Sequence, residues 1–210
     1  MLYKLKYHSL FFFLSLFLGI YPLSTASNST FNPQENTPQT ALLLIDIQNF
    51  YFPGGRIPLM NPEDASLNAR TLLKLFREKK LLVIHIRHNA QSGSEIHENV
   101  KPLKTEKVIS KNDVNCFKDT ELLDYLKEHG VKRLVICGMM THMCVEAAVR
   151  AAHDFGFECL VVQDACATRA LKYKDREIPA EAVYYSTLAT LSGYYAKVTD
   201  TETFLKELLN

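Results

Sequence analysis

The chain has 210 residues, 47% of them hydrophobic and 22% charged, enough to bury one sizeable core and too few for two large ones. Its formal net charge is +1 and no block of like charges occurs, which removes the electrostatic case for nucleic acid or an anionic membrane surface as partner. The five cysteines (Cys116, Cys137, Cys144, Cys159 and Cys166) form no CxxC pair and no Cys/His spacing of a zinc site.

Residues 1–26 stand apart from the rest. "MLYKLKYH" carries Lys4 and Lys6 and no acid, "SLFFFLSLFLGIYPL" is almost purely apolar, and "STA" places small residues at Ser24 and Ala26. A positive start, an apolar middle and a small-residue exit predict a secretory leader cleaved near Ala26, and hence a periplasmic or secreted protein. The apolar run is shorter than the roughly 20 residues needed to span a bilayer, which argues against a retained anchor. Residues 27–39, "SNSTFNPQENTPQ", are polar and without apolar periodicity, and read as a flexible lead-in. The folded domain is expected over 40–210. In an oxidising compartment the odd number of cysteines leaves at least one thiol unpaired.

"ALLLIDI" is a run of apolar residues broken by an acid, as in a strand buried on both faces. "NPEDASLNARTLLKLFREKK" predicts a helix, with Asn61 as cap, Pro62 at the first helical position, and Leu67, Leu72, Leu75 and Phe76 at helical spacing. "LLVIHIR" is a second strand. The polar segment from His88 to Glu106 is too long for an ordinary connection and suggests a binding or lid loop. "KVIS" is a third strand and "DTELLDYLKEHG" a helix closed by Gly130. "KRLVIC" is a fourth strand, running into the helix of "GMMTHMCVEAAVRAAHDFG". "FECLVVQ" is a fifth strand, "IPAEAVYYSTLATLSG" a helix started by Pro179, and "YYAKVT" a sixth strand. "DTETFLKELL" closes the chain as a helix capped by Asp200. Strands alternating with helices predict a three-layer α/β/α fold with a doubly wound, mostly parallel six-stranded sheet.

Ligands of such sheets bind beyond the carboxyl ends of the strands. Three residues there carry chemistry. Cys144 falls in the first turn of a helix that Thr141 could cap, where free N–H groups and the helix dipole lower a thiol's pKa. A buried structural cysteine is the plain alternative. Asp46 follows five apolar residues, and a carboxylate there is costly unless it has a partner or a task. In the strand order 3-2-1-4-5-6 it would flank one crevice with Cys144, placed to accept the thiol's proton and return it to a leaving group. Lys111, just after the third strand, would reach this crevice only if its loop folds back over the sheet, and would there favour both anions. Cys137 and Cys159 read as core residues, and the pairing of Cys116 and Cys166 is left open.

From Ala41 onward the chain resembles the isochorismatase-like cysteine hydrolases, a superfamily that includes nicotinamidases. The motifs are "DIQNFYFPGG" around Asp46, Lys111 ahead of Phe117, and "GMMTHMCVEAAVRAAHDFG" followed by "VVQDACAT". "GSEIHENV" and "GMMTHMCV" are most similar to the streptothricin-hydrolase-like branch. The resemblance implies Cys144 as nucleophile, Asp46 as general base and acid, and Lys111 as the charge that tunes both. It also implies a cis peptide between Met139 and Met140, turning the N–H groups of Met140 and Cys144 into an oxyanion hole, and a pocket lined by Tyr51 and Met143. His97 is placed at the pocket rim. Isochorismatases proper lack the cysteine. Nicotinamidases carry an Asp-x-His metal motif where this chain has "HIRHNAQSG". His85 and His88 are three apart and face opposite sides of a strand, so no metal is expected from them. His8, His129, His142 and His153 call for no functional role.

The expected activity is exported, cofactor-free hydrolysis of a small-molecule amide through a thioester, by a protein that the resemblance makes a homo-oligomer. The alternatives are a non-catalytic small-ligand binder of the same fold, a redox-sensing thiol, and a metal-dependent nicotinamidase-like amidase. The leader has a direct test: N-terminal sequencing of the exported protein should begin near Ser27, whereas an intact Met1 in a cytosolic fraction excludes export.

Overall fold

The computed structural model describes residues 39–209, so the expected leader (1–26) and all but the last residue of the lead-in (27–39) lie outside the described residues. Six parallel strands form the central sheet: β1 (Thr40–Ile45), β2 (Leu82–His88), β3 (Lys107–Lys111), β4 (Arg133–Met139), β5 (Glu158–Ala167) and β8 (Lys197–Thr199). Their spatial order is β3-β2-β1-β4-β5-β8. All six residues of β1 are buried, as a central strand covered on both faces requires. Helices α1 (Pro62–Glu78), α2 (Leu122–Glu128), α3 (Glu146–Asp154), α4 (Ala180–Leu191) and α5 (Thr201–Leu209) connect the strands or close the chain. No helix among the described residues is long and apolar enough to cross a membrane.

The local causes are readable. Pro62 opens α1 as expected, and the helix buries Ala65, Ala69, Leu72, Leu73 and Phe76 at helical spacing; Leu67 is only half-buried. Asp200 caps α5, its carboxylate accepting from the Thr203 N–H at 2.7 Å. Three elements differ from expectation. The sixth strand is only Lys197–Thr199, with Tyr194 and Tyr195 in the turn before it. β5 runs four residues beyond Gln163 to Ala167, past a register shift against β4 that follows Ile136. The segment after it folds into an antiparallel hairpin, β6 (Leu171–Tyr173) and β7 (Arg176–Ile178), outside the main sheet.

The long 89–106 connection is fastened at both ends. Gln48, fully buried, receives the His88 N–H on Oε1 at 2.8 Å and donates Nε2 to the carbonyls of His88 and Ser94 at 2.9 and 2.6 Å. At the far end Glu106 receives Arg77 through two bonds of 2.7 and 2.8 Å, the Leu103 N–H at 2.8 Å, and pairs with His85 Nε2 at 3.0 Å. Burial alone would raise the Glu106 pKa, but the bonds from Arg77, Leu103 and His85 outweigh it and hold the carboxyl at about 2. A carboxyl with a depressed folded-state pKa stabilises fully above its ordinary value of 4.5, and that contribution is lost as pH falls toward about 2. Glu106→Gln should therefore cost about 2 kcal/mol at neutral pH. In denaturant unfolding the gap between variant and wild type should close between pH 4.5 and 2. A gap independent of pH would show that charge is not what Glu106 contributes.

Candidate active site

Asp46, Lys111 and Cys144 converge at the carboxyl edge of the sheet. Asp46 follows β1 directly, with φ of 49°, a left-handed conformation uncommon outside glycine, and its N–H bonds the Ile86 carbonyl at 3.0 Å. Lys111 is the last residue of β3 rather than the start of a loop. β3 lies two places from β1, about 10 Å at ordinary strand spacing, and the lysine side chain itself crosses that gap. It passes His88, its partner in register on β2, with Nζ 3.5 Å from His88 Nδ1. Nζ then meets Asp46 Oδ2 at 2.7 Å, Cys144 Sγ at 3.3 Å and the Asp113 carbonyl at 3.0 Å. Asp46, Lys111 and Cys144 are 0%, 1% and 6% exposed, so all three interact away from bulk water.

Cys144 is delivered by a local departure from regular helix. Gly138, near the end of β4, has φ of 133°, and a Cβ there would lie 2.0 Å from the Ile45 carbonyl oxygen. Glycine lets β4 press against the end of β1, bringing the segment beyond β4 close to Asp46. The Met139–Met140 peptide is cis. Residues Thr141–Val145 form a π-helical turn leading into α3. The Met140 carbonyl accepts from the N–H groups of Met143 and Val145, the neighbours of Cys144 on either side. Thr141 does not cap: Met140 holds that position, and Thr141 Oγ1 is buried without a partner. A π-turn at a functional site is a recurrent device.

The electrostatics correct one expectation. Helix position and Lys111, taken from the sequence, point to a lowered thiol pKa. Burial, reinforced by Asp46, instead pushes Cys144 up to about 12, with Lys111 acting the other way. Asp46 is raised, because burial outweighs the opposing pull of Lys111 and Cys144. Lys111 is also raised: burial would lower it, but Asp46 and Cys144 more than compensate. Lys111 Nζ and Asp46 Oδ2 thus form an ion pair at 2.7 Å beside a neutral thiol.

Among the other expected pocket residues, Tyr51 is buried, and burial raises its hydroxyl pKa, with Cys144 and Asp46 adding to the rise. Met143 is half-buried against the core. His97 stacks on Phe52, ring centroids 3.6 Å apart, and accepts from the Asn99 N–H, so its contacts are with these rather than with the three charged or thiol groups. His85 faces Glu106 and His88 faces Lys111, on opposite sides of β2 as expected. Two residues at the site carry no assignment from the sequence: Gln48, which clamps both ends of the 88–94 turn, and His142, whose Nδ1 lies 2.5 Å from Thr168 Oγ1. The spacing D-x-Q was the available signal for Gln48; the Thr168 contact needs the unforeseen extension of β5.

A doubly wound parallel sheet that brings a carboxylate, an amine and a thiol together at its carboxyl edge is the architecture of an isochorismatase-like hydrolase. The chain belongs to the isochorismatase family, whose domain model matches residues 40–203. It is 49% identical to the isochorismatase family protein YddQ of Bacillus subtilis over 178 residues, 80% of this chain and 99% of that one. A streptothricin hydrolase of Streptomyces noursei is 31% identical over 140 residues, 62% of this chain and 55% of that one. A crystal structure of an isochorismatase from Pseudomonas putida superposes with a TM-score of 0.75 at 33% identity, covering 80% of this chain and 92% of that one.

The thiol's environment has a measurable signature. Asp46→Asn should lower the Cys144 pKa well below about 12, because it removes an anion and leaves Lys111 to stabilise the thiolate alone. The pH dependence of iodoacetamide alkylation measures it. Equal profiles in variant and wild type would separate Asp46 from the thiol.

Proposed function

We propose that the protein is an exported hydrolase that cleaves the C–N bond of a small-molecule amide through a thioester, without a metal ion. The observation that carries this reading is Lys111 Nζ in contact with both Asp46 and Cys144 inside a buried site. A binder has no need to bury an ion pair against a thiol, since burying charge is costly. The streptothricin hydrolase relative supports hydrolysis as the family's kind of chemistry.

The neutral thiol favours a first step in which attack and proton transfer occur together. As Sγ attacks the amide carbon, Asp46 takes the thiol proton, so no free thiolate has to exist at rest. The carbonyl oxygen, now anionic, is received by the N–H groups of Met140 and Cys144. Asp46 then gives its proton to the departing nitrogen, the C–N bond breaks, and the thioester remains. A water molecule gives a proton to Asp46 and its oxygen attacks the thioester. The C–S bond breaks, and the sulfur recovers the proton from Asp46. Throughout, the buried site carries one positive charge on Lys111 and one negative charge that moves between Asp46, the oxyanion and sulfur.

A panel of primary amides assayed for ammonia release tests the reading. Cys144→Ala should lose at least about 1,000-fold in kcat/KM, as removal of a nucleophile does. Cys144→Ser should be nearly as inactive, since Asp46 is a poor match for activating an alcohol. Wild-type turnover by the alanine variant would end the covalent mechanism.

A further inference from the structure

The Lys111 ammonium carries three N–H donors, and the residue is 1% exposed, so each donor needs an acceptor inside the protein. Four acceptors surround it: Asp46 Oδ2 at 2.7 Å, the Asp113 carbonyl at 3.0 Å, Cys144 Sγ at 3.3 Å and His88 Nδ1 at 3.5 Å. Asp46 and the Asp113 carbonyl make the two short contacts and take two of the donors. The third is left between sulfur and imidazole. There is one acceptor more than the ammonium can serve.

Sulfur is a variable acceptor. A neutral thiol or a thioester accepts a hydrogen bond weakly, whereas a sulfur gaining negative charge accepts strongly. Whenever sulfur cannot hold the third donor, a buried N–H is left unpaired unless another group receives it. His88 is in place to do so. It ends β2 and is the register partner of Lys111 on β3. Gln48 fixes its backbone from both sides, receiving its N–H at 2.8 Å and donating to its carbonyl at 2.9 Å. Among the described residues, Lys111 is the only hydrogen-bonding partner of the imidazole. At 3.5 Å the contact is longer than a full bond, and a small tilt of the ammonium away from sulfur would complete it.

We propose that His88 is a positioning residue that acts through Lys111: its Nδ1 receives the third ammonium N–H whenever the Cys144 sulfur cannot, and so keeps Lys111 on Asp46 through the whole reaction. This rests on the hydrolase reading and adds a residue to it. No proton is transferred; one hydrogen bond is exchanged between two acceptors. The role requires a neutral ring, because a protonated Nδ1 donates instead of accepting and would face a cation. The surroundings favour that form. Burial and Lys111 lower the His88 pKa from its ordinary 6.5, Arg56 acts the same way, and Asp46 and Asp113 oppose them.

Two measurements test the proposal. The first is kinetic, on any amide the wild type turns over. Wild-type kcat should fall as pH drops below 6.5 and the ring gains its proton. His88→Asn, whose Oδ1 accepts from nearly the same place without titrating, should keep most of the kcat above that pH and lose the part of the acid limb that the ring causes. His88→Leu should lose about tenfold to a hundredfold in kcat with KM little changed, the cost of a buried donor left without its acceptor. Full kcat in His88→Leu, or an acid limb unchanged in His88→Asn, overturns the proposal. The second measurement needs no turnover. The imidazole 15N signals of His88, assigned by their absence in His88→Asn, should show the Nε2–H tautomer and a pKa below 6.5. In Cys144→Ala, where no sulfur competes, Lys111 belongs to His88 at all times and that pKa should fall further. An Nδ1–H tautomer, or a pKa that does not move in Cys144→Ala, overturns the exchange. If no amide is hydrolysed while the tautomer and the shift are found, the hydrolase reading falls and takes the role of His88 with it, while the contact with Lys111 stands.

Discussion

The Lys111–Asp46 ion pair is the contact on which the rest of the site depends. Two charges at 2.7 Å and essentially zero exposure are worth little as stability, since desolvating them offsets most of their attraction. Their value is positional. Lys111 can reach Asp46 only across β2, and Asp46 can be reached only because β1 lies at the centre of the sheet with β4 on its other side. A strand order that separated β1 from β2 would leave both charges buried alone, and one that separated β1 from β4 would carry Cys144 away from the pair. The doubly wound order thus has a chemical requirement built into it, beyond covering apolar faces with helices.

The second constraint is how closely β4 must approach β1. Gly138 accepts a contact that no side chain could, and the chain beyond it turns through Met139 and Met140 into the π-helical segment carrying Cys144. Asp46 meets it in a left-handed backbone conformation that costs of order 1 kcal/mol for a non-glycine residue. Unfavourable backbone at Asp46 and irregular helix at Cys144 thus fall on the two sides of one crevice. Both depart from what local propensity would choose, and departures of that kind collect where geometry serves chemistry.

The frame of this arrangement was legible in the sequence because it rests on periodicity and end signals. "ALLLIDI" announces a central strand, Pro62 a helix start and Asp200 a cap, each a local rule that the tertiary structure leaves intact. Asp46 and Cys144 were legible because their chemistry is out of place after apolar strands. The features that stayed hidden depend on pairing. The continuation of β5 through Asp164 and Ala165 interrupts an apolar run with polar residues, so composition reads it as a loop; its partner β4 carries the register shift that keeps it in the sheet. The hairpin at 171–178 has exposed or half-exposed residues throughout and hence no buried face to produce alternation. The sequence points to Lys111 arriving on a loop that folds back, whereas its reach comes from the side chain, visible only once His88 is aligned beside it.

The thiol shows most clearly where position along a helix stops being a guide. A cysteine near a helix start, next to a lysine, points to a depressed pKa when each influence is considered singly. At 6% exposure and beside Asp46, burial and the carboxylate dominate, and the sulfur stays protonated. This is the better arrangement for a site that must not accumulate charge. A permanent thiolate beside ionised Asp46 would place two anions against one lysine in a water-poor crevice. In the mechanism proposed above, a neutral thiol lets one proton pass between sulfur and carboxylate with the net charge unchanged. The raised pKa of Asp46 suits the role proposed for it, since a carboxylate that holds its proton more firmly is a better base toward sulfur and still an acid toward a leaving amine. In that proposal Lys111 has a single role at every stage: it fixes the positive end of a dipole whose negative end moves.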